Sequence, residues 1–111
     1  MVTDKFITGQ AMSKFTVVRT DNQGRILPAF WPELVDSIVG VLPVDVIYGQ
    51  EVDICLNGLL DMPGHILTPG AKLYLTYGGY ITMERPKKAI VQIGHVLTAD
   101  KIFVKIRDRV N

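Results

Sequence analysis

The sequence predicts an all-β fold, and three observations carry that prediction. Short segments rich in β-branched and aromatic residues alternate apolar with polar positions, turn-forming residues interrupt them roughly every ten residues, and no stretch keeps a helical period. Patterns of this kind belong to sandwiches and small barrels. The expected architecture is a small antiparallel β-sandwich or jelly-roll-like barrel with an extended N-terminal arm, residues 1–14 forming the arm and residues 15–111 a single β domain. A chain of 111 residues, 48% of them hydrophobic, supports one such domain with a modest core.

Residues 1–14 scatter Phe6, Ile7 and Met12 among polar residues, with Gly9 between them, and show neither strand nor helix period. They read as an extended arm, with an edge strand of the same domain as the equal alternative. Phe15-Thr16-Val17-Val18-Arg19 is a β-branched strand, Asp21-Asn22-Gln23-Gly24 a turn, and Arg25-Ile26-Leu27 its return. Pro28-Ala29-Phe30-Trp31-Pro32 then sets two large aromatics between prolines, where a regular ladder is disfavoured. Pro32-Glu33 is suited to open one helical turn through Asp36. The only Trp, Trp31, reads as a plug at the end of the core or, with Phe30, as an interface anchor.

Ser37-Ile38-Val39-Gly40-Val41-Leu42 is apolar enough for a strand buried on both faces, and residues 43–49 form a loop. Gln50-Glu51-Val52-Asp53-Ile54-Cys55-Leu56 alternates as a half-buried strand that Asn57-Gly58 closes with a turn. Thr68-Pro69-Gly70 opens two successive hairpins. Lys72–Tyr77 and Tyr80–Met83 flank Gly78-Gly79, a pair suited to the positive φ of a primed turn. Ile90–Leu97 and Ile102–Ile106 flank Thr98-Ala99-Asp100-Lys101. A faint echo links Ile38–Ile54 with Gln92–Ile106: an apolar strand with a glycine, a leucine, a turn, then an alternating strand.

Lys and Arg number 12 against 11 Asp and Glu, a net charge of +1, which argues against nucleic acid as the main partner. The densest basic cluster, Arg85 with Lys87 and Lys88, reads as a solvated hairpin tip around Pro86. The single cysteine, Cys55, cannot form an internal disulfide and reads as a small core residue. His65 and His95 lack partners at metal-ligand spacing, and no nucleophile elbow, phosphate loop or dinucleotide fingerprint occurs. No enzyme, metal or cofactor is expected. No stretch reaches the roughly 20 apolar residues of a membrane helix, and the N-terminus does not read as a signal peptide, so synthesis in a cytoplasm is expected.

Leu67-Thr68-Pro69-Gly70, Leu73-Tyr74-Leu75, Gly79, Ile81-Thr82, Pro86, Val91-Gln92-Ile93-Gly94, Val96-Leu97, Ala99-Asp100, Ile102, Val104 and Ile106 together resemble a string recurrent in tailed-phage virion proteins. Val17-Val18-Arg19, Gly24, Pro28-Ala29 and Val39-Gly40-Val41-Leu42 extend the resemblance over most of the chain from Phe15 onward. The chain departs from the string at His95, where a small residue is common, and at Glu84-Arg85, where threonines are common. With its size, this looks most like a capsid decoration protein (cement or staple) of short-tailed phages of the epsilon-fifteen type. The resemblance implies a non-enzymatic clamp on the exterior of the virion capsid. It would bridge major capsid subunits of the HK97 fold, pair as a homodimer across two-fold axes, and involve neither nucleic acid nor membrane. Phe6, Ile7, Phe30, Trp31, Tyr77 and Tyr80 are the candidate contacts with capsid or sister subunit. A tail or head-fibre carbohydrate-binding module is the alternative.

Overall fold

The computed structural model describes residues 2–29, 38–63, 65 and 67–106. Among them the fold is all-β: nine strands in one antiparallel sheet and no α-helix. The strands are β1 (Val2–Ile7), β2 (Val17–Thr20), β3 (Ile26–Pro28), β4 (Ile38–Val41), β5 (Glu51–Asp61), β6 (Lys72–Leu75), β7 (Ile81–Thr82), β8 (Gln92–Thr98) and β9 (Lys101–Lys105). Their order is β3-β2-β4-β5-β9-β8-β6-β7, with β1 added on β5. Both hairpins expected in the second half are present, β6–β7 and β8–β9. The segment holding Phe30, Trp31 and the expected helical turn lies outside the described residues.

The centre of the sheet is buried on both faces. Consecutive residues on three neighbouring strands, Val17 and Val18, Val41 and Leu42, Ile54 and Cys55, are all fully buried. In each pair one residue enters the larger core cluster (Val17, Val41, Cys55) and the other the smaller (Val18, Leu42, Ile54). Side chains of adjacent strand residues point to opposite faces, so each pair shows both faces covered at that point. The smaller cluster is completed by Met12, Ile26, Val46 and Val52, with Phe6 packed against it. Full burial of one such aliphatic side chain is worth about 1.5–3 kcal/mol.

That second cluster explains the N-terminus. Of residues 1–14, expected as an extended arm, the described residues 2–14 are tied to the domain, and over Val2–Ile7 the backbone adopts the strand alternative. β1 pairs antiparallel with β5, with Phe6 opposite Val52 and Lys5 opposite Asp53. Beyond it, Thr8 and Gly9 donate backbone hydrogen bonds to the Gln50 and Ile26 carbonyls, and Met12 and Val46 exchange a reciprocal pair. Thr8 and Met12 are buried. The lack of period in this stretch arises because only Phe6, Thr8 and Met12 turn inward.

Asn57-Gly58, expected as a closing turn, lies instead in the middle of an 11-residue strand. Gly58 has φ +131° and faces Val104 across the ladder, so its left-handed backbone shifts the strand's facing without reversing the chain. Before it, Val52, Ile54 and Leu56 pack in the smaller cluster; after it, Leu60 packs in the larger one. Gly78-Gly79 differs in a similar way. Both glycines have positive φ, as expected, but they belong to a 3-10 turn over Tyr77–Gly79 in a five-residue connection (76–80) between the paired residues Leu75 and Ile81. Phe15 is not in the first internal strand either: it stands before β2 at φ +71°.

The larger cluster draws on β2, β4, β5, β6, β8 and β9, so the sheet curls around it. The curl brings Gly79, in the β6–β7 connection, onto the start of β2. A methyl group on Gly79 would lie 2.9 Å from the Val17 carbonyl oxygen and 3.4 Å from the Ala29 nitrogen.

Two glycines inside strands set close strand approaches. A methyl group at Gly40 would collide with the Cys55 carbonyl, and one at Gly94 with the Phe103 carbonyl. Gly40→Ala and Gly94→Ala are each expected to cost about 2–3 kcal/mol or more in urea unfolding, as overpacking against backbone does. Gly24→Ala, at φ +78° in open space, should cost only about 1 kcal/mol. Trimming residues 1–6 should leave a folded, less stable domain. Met12→Ala should cost about 2–4 kcal/mol by the same measurement, and removal of residues 1–14 should cost more than either change.

Candidate functional site

Among the described residues, Tyr77 and Tyr80 are exposed aromatics that share one short element: they flank the glycines of the β6–β7 connection and are 66% and 63% exposed. The connection is held at its base: Thr76 N–H donates to the Tyr80 carbonyl at 2.9 Å, and Tyr80 N–H to the Tyr77 carbonyl at 3.3 Å. Gly79 is buried against β2, so the turn is anchored while the two phenols on either side stand in solvent.

A cleft flanks each tyrosine. One, of about 240 Å³, is lined by Thr76, Tyr77, Thr82, Glu84, Arg85, Pro86 and Lys87. The other, of about 220 Å³, is lined by residues 10–13, Thr16, Pro28, Gly78 and Tyr80. The first carries the basic cluster that the sequence marks as a hairpin tip. Arg85 and Lys87 are exposed, and the ion pairs among the described residues lie elsewhere, Lys5 with Glu51 and Lys101 with Asp61. The Glu84 N–H is held by the Thr82 hydroxyl at 3.1 Å. Buried Ala89 and Val91 fix the far end of the loop, and the Val91 carbonyl accepts the Leu75 N–H.

Phe6 and Ile7 do not join this tip. Phe6 gives part of its surface to the protein's own smaller cluster, and Ile7 is 37% exposed on β1. Phe30 and Trp31 lie outside the described residues. Sequence reasoning missed a second exposed apolar tip: Ile47 and Tyr48, 69% and 65% exposed, in the β4–β5 loop. The Thr8 hydroxyl donates to the Ile47 carbonyl, Ile47 N–H donates to Gln50 Oε1, and Arg25 both donates to the Tyr48 hydroxyl and lies over its ring. The available signal was a run of apolar residues between Pro43 and Gly49, where a loop is ordinarily polar.

The groups weighed for chemistry stand apart from one another. His65 meets the Phe15 ring edge-on at 5.4 Å, and His95 stacks on Phe103 at 5.5 Å. Among the described residues no group of three or more His, Cys, Asp or Glu is placed to hold a metal ion.

Cys55 lies fully buried in the larger cluster, and burial pushes its thiol above the ordinary range by disfavouring the thiolate. The folded protein should therefore resist iodoacetamide at pH 8 and react stoichiometrically in urea. Because the neutral thiol is favoured in the folded state, this group's contribution to stability is complete below the unfolded thiol's pKa and declines as pH rises past it. A Cys55→Ala variant should show a smaller loss of stability between pH 8 and pH 10. No protein-family model matches the chain, and no curated protein matches it.

Proposed function

We propose that this chain is a non-enzymatic capsid decoration protein that binds the outside of an expanded icosahedral phage head and bridges neighbouring major capsid subunits. The observation that carries the reading is the anchored tyrosine tip. Interface energy concentrates in a few large aromatic side chains, and rigid presentation lowers the entropy lost on docking. Tyr77 and Tyr80 meet both conditions: they are about two-thirds exposed on a connection whose Gly79 is packed against the start of β2. The resemblance of residues 67–106 to the virion-protein string supports the same reading and supplies its further parts, an HK97-fold shell as partner and pairing across two-fold axes. β1, which pairs with β5 alone among the described strands, offers an edge for a shell subunit to extend.

The test is co-sedimentation of the purified protein with undecorated expanded heads and with unexpanded proheads. Saturable binding to expanded heads is expected. Tyr77→Ala with Tyr80→Ala should weaken it by about ten-fold or more while leaving thermal unfolding within a few degrees, since both side chains are exposed. Absence of binding to either particle, or binding indifferent to both tyrosines, overturns the reading.

A further inference from the structure

We propose that the cleft between the β6–β7 connection and the 84–87 loop is a binding site for a carboxylated sugar unit of an acidic polysaccharide. Its lining supplies one group for each part of such a unit. Arg85, with a planar donor fork, suits a carboxylate bidentately, and Lys87 adds a second positive charge. Thr82 and Glu84 offer a hydroxyl and a carboxylate to the ring hydroxyls, and Tyr77 offers an aromatic wall to the ring's C–H face.

Size and charge select this ligand over others. At about 240 Å³ the cleft is below the roughly 300–1,000 Å³ of ordinary small-molecule pockets, so it holds one compact unit rather than a folded peptide. Nucleic acid is disfavoured by a net charge of +1 and by basic residues gathered at one point instead of along a stripe. An acidic side chain from a protein partner would use Arg85 and Lys87 but has no hydroxyl to offer the Glu84 carboxylate. A sugar uses Glu84 as a hydrogen-bond acceptor. The inference does not rest on the capsid reading: the two share Tyr77, but the cations Arg85 and Lys87 belong to the cleft alone.

The experiment is amide chemical-shift titration of the full chain with trigalacturonic acid, 3′-sialyllactose, neutral galactotriose and inorganic phosphate. Saturable shifts at Tyr77, Thr82 and Lys87 are expected with at least one carboxylated probe, with galactotriose at least ten-fold weaker. Arg85→Ser with Lys87→Ser should remove binding ten-fold or more and leave the thermal midpoint unchanged. Equal affinity for galactotriose overturns the requirement for acid. Phosphate binding as tightly as the better sugar reduces the site to a bare anion site and overturns the sugar assignment. No saturation by either carboxylated probe overturns the inference entirely. Head co-sedimentation of the same double variant separates the two readings, since unchanged head binding leaves the shell contact intact while the sugar site is lost.

Discussion

Burial of both faces of β2, β4 and β5 is the constraint on which the rest of the structure depends. A thin sheet with one wet face would expose Val18, Leu42 and Ile54, three side chains that are fully covered. Covering them recruits the otherwise featureless residues 6–12 and the β4–β5 loop through Val46. The reciprocal hydrogen bonds between Met12 and Val46 satisfy the backbone polar groups that such a cover brings inside. The N-terminal segment is therefore part of the smaller core.

Close strand approach is the second condition, and glycines set it. Gly40 presses on the carbonyl of Cys55, and Gly94 on that of Phe103. In each case the contacted strand is the next strand in sequence, so the faint echo between the two halves has a shared physical content: a side-chain-free position where two strands touch backbone to backbone. Gly79 makes the comparable contact between the β6–β7 connection and β2, and it links fold to function. The tyrosine tip is placed by the curl of the sheet and by this one contact, so the core sets the direction in which Tyr77 and Tyr80 project.

Much of the fold was legible because it rests on local signals. The strand-forming segments Lys72–Tyr77 and Ile102–Ile106 and the turn residues beside them located both C-terminal hairpins, whose strands run over Lys72–Leu75 and Lys101–Lys105. The unbroken apolar run around Val41 announced a strand buried on both faces. What failed was the meaning of positive-φ positions. Asn57-Gly58 and Gly78-Gly79 both signal left-handed backbone, and both glycines that follow a possible turn start adopt it, yet one shifts the facing of a continuous strand and the other sits in a longer connection. Pairing partners decide between these outcomes, and those partners lie far off in sequence, as Val104 does for Gly58. At the site, Tyr77 and Tyr80 were visible from their place beside the glycines. The cleft was not, because it needs the 84–87 loop folded back beside Thr76 and Tyr77. Glu84 and Arg85, where the chain departs from the virion-protein string, both line it.

The near balance of charge shapes how such a cleft can act. With 12 basic and 11 acidic residues, the chain as a whole produces little long-range attraction for a polyanion. At physiological salt the field of Arg85 and Lys87 fades within about 8 Å. Recognition there is then a matter of contact geometry, and a single small cleft gives weak affinity on its own. Because Tyr77 lines the cleft and also belongs to the tip proposed to grip the shell, a docked copy would hide the cleft's aromatic wall. Shell binding and sugar binding are in this sense alternatives at Tyr77, and only the Arg85 and Lys87 side of the cleft belongs to one of them alone.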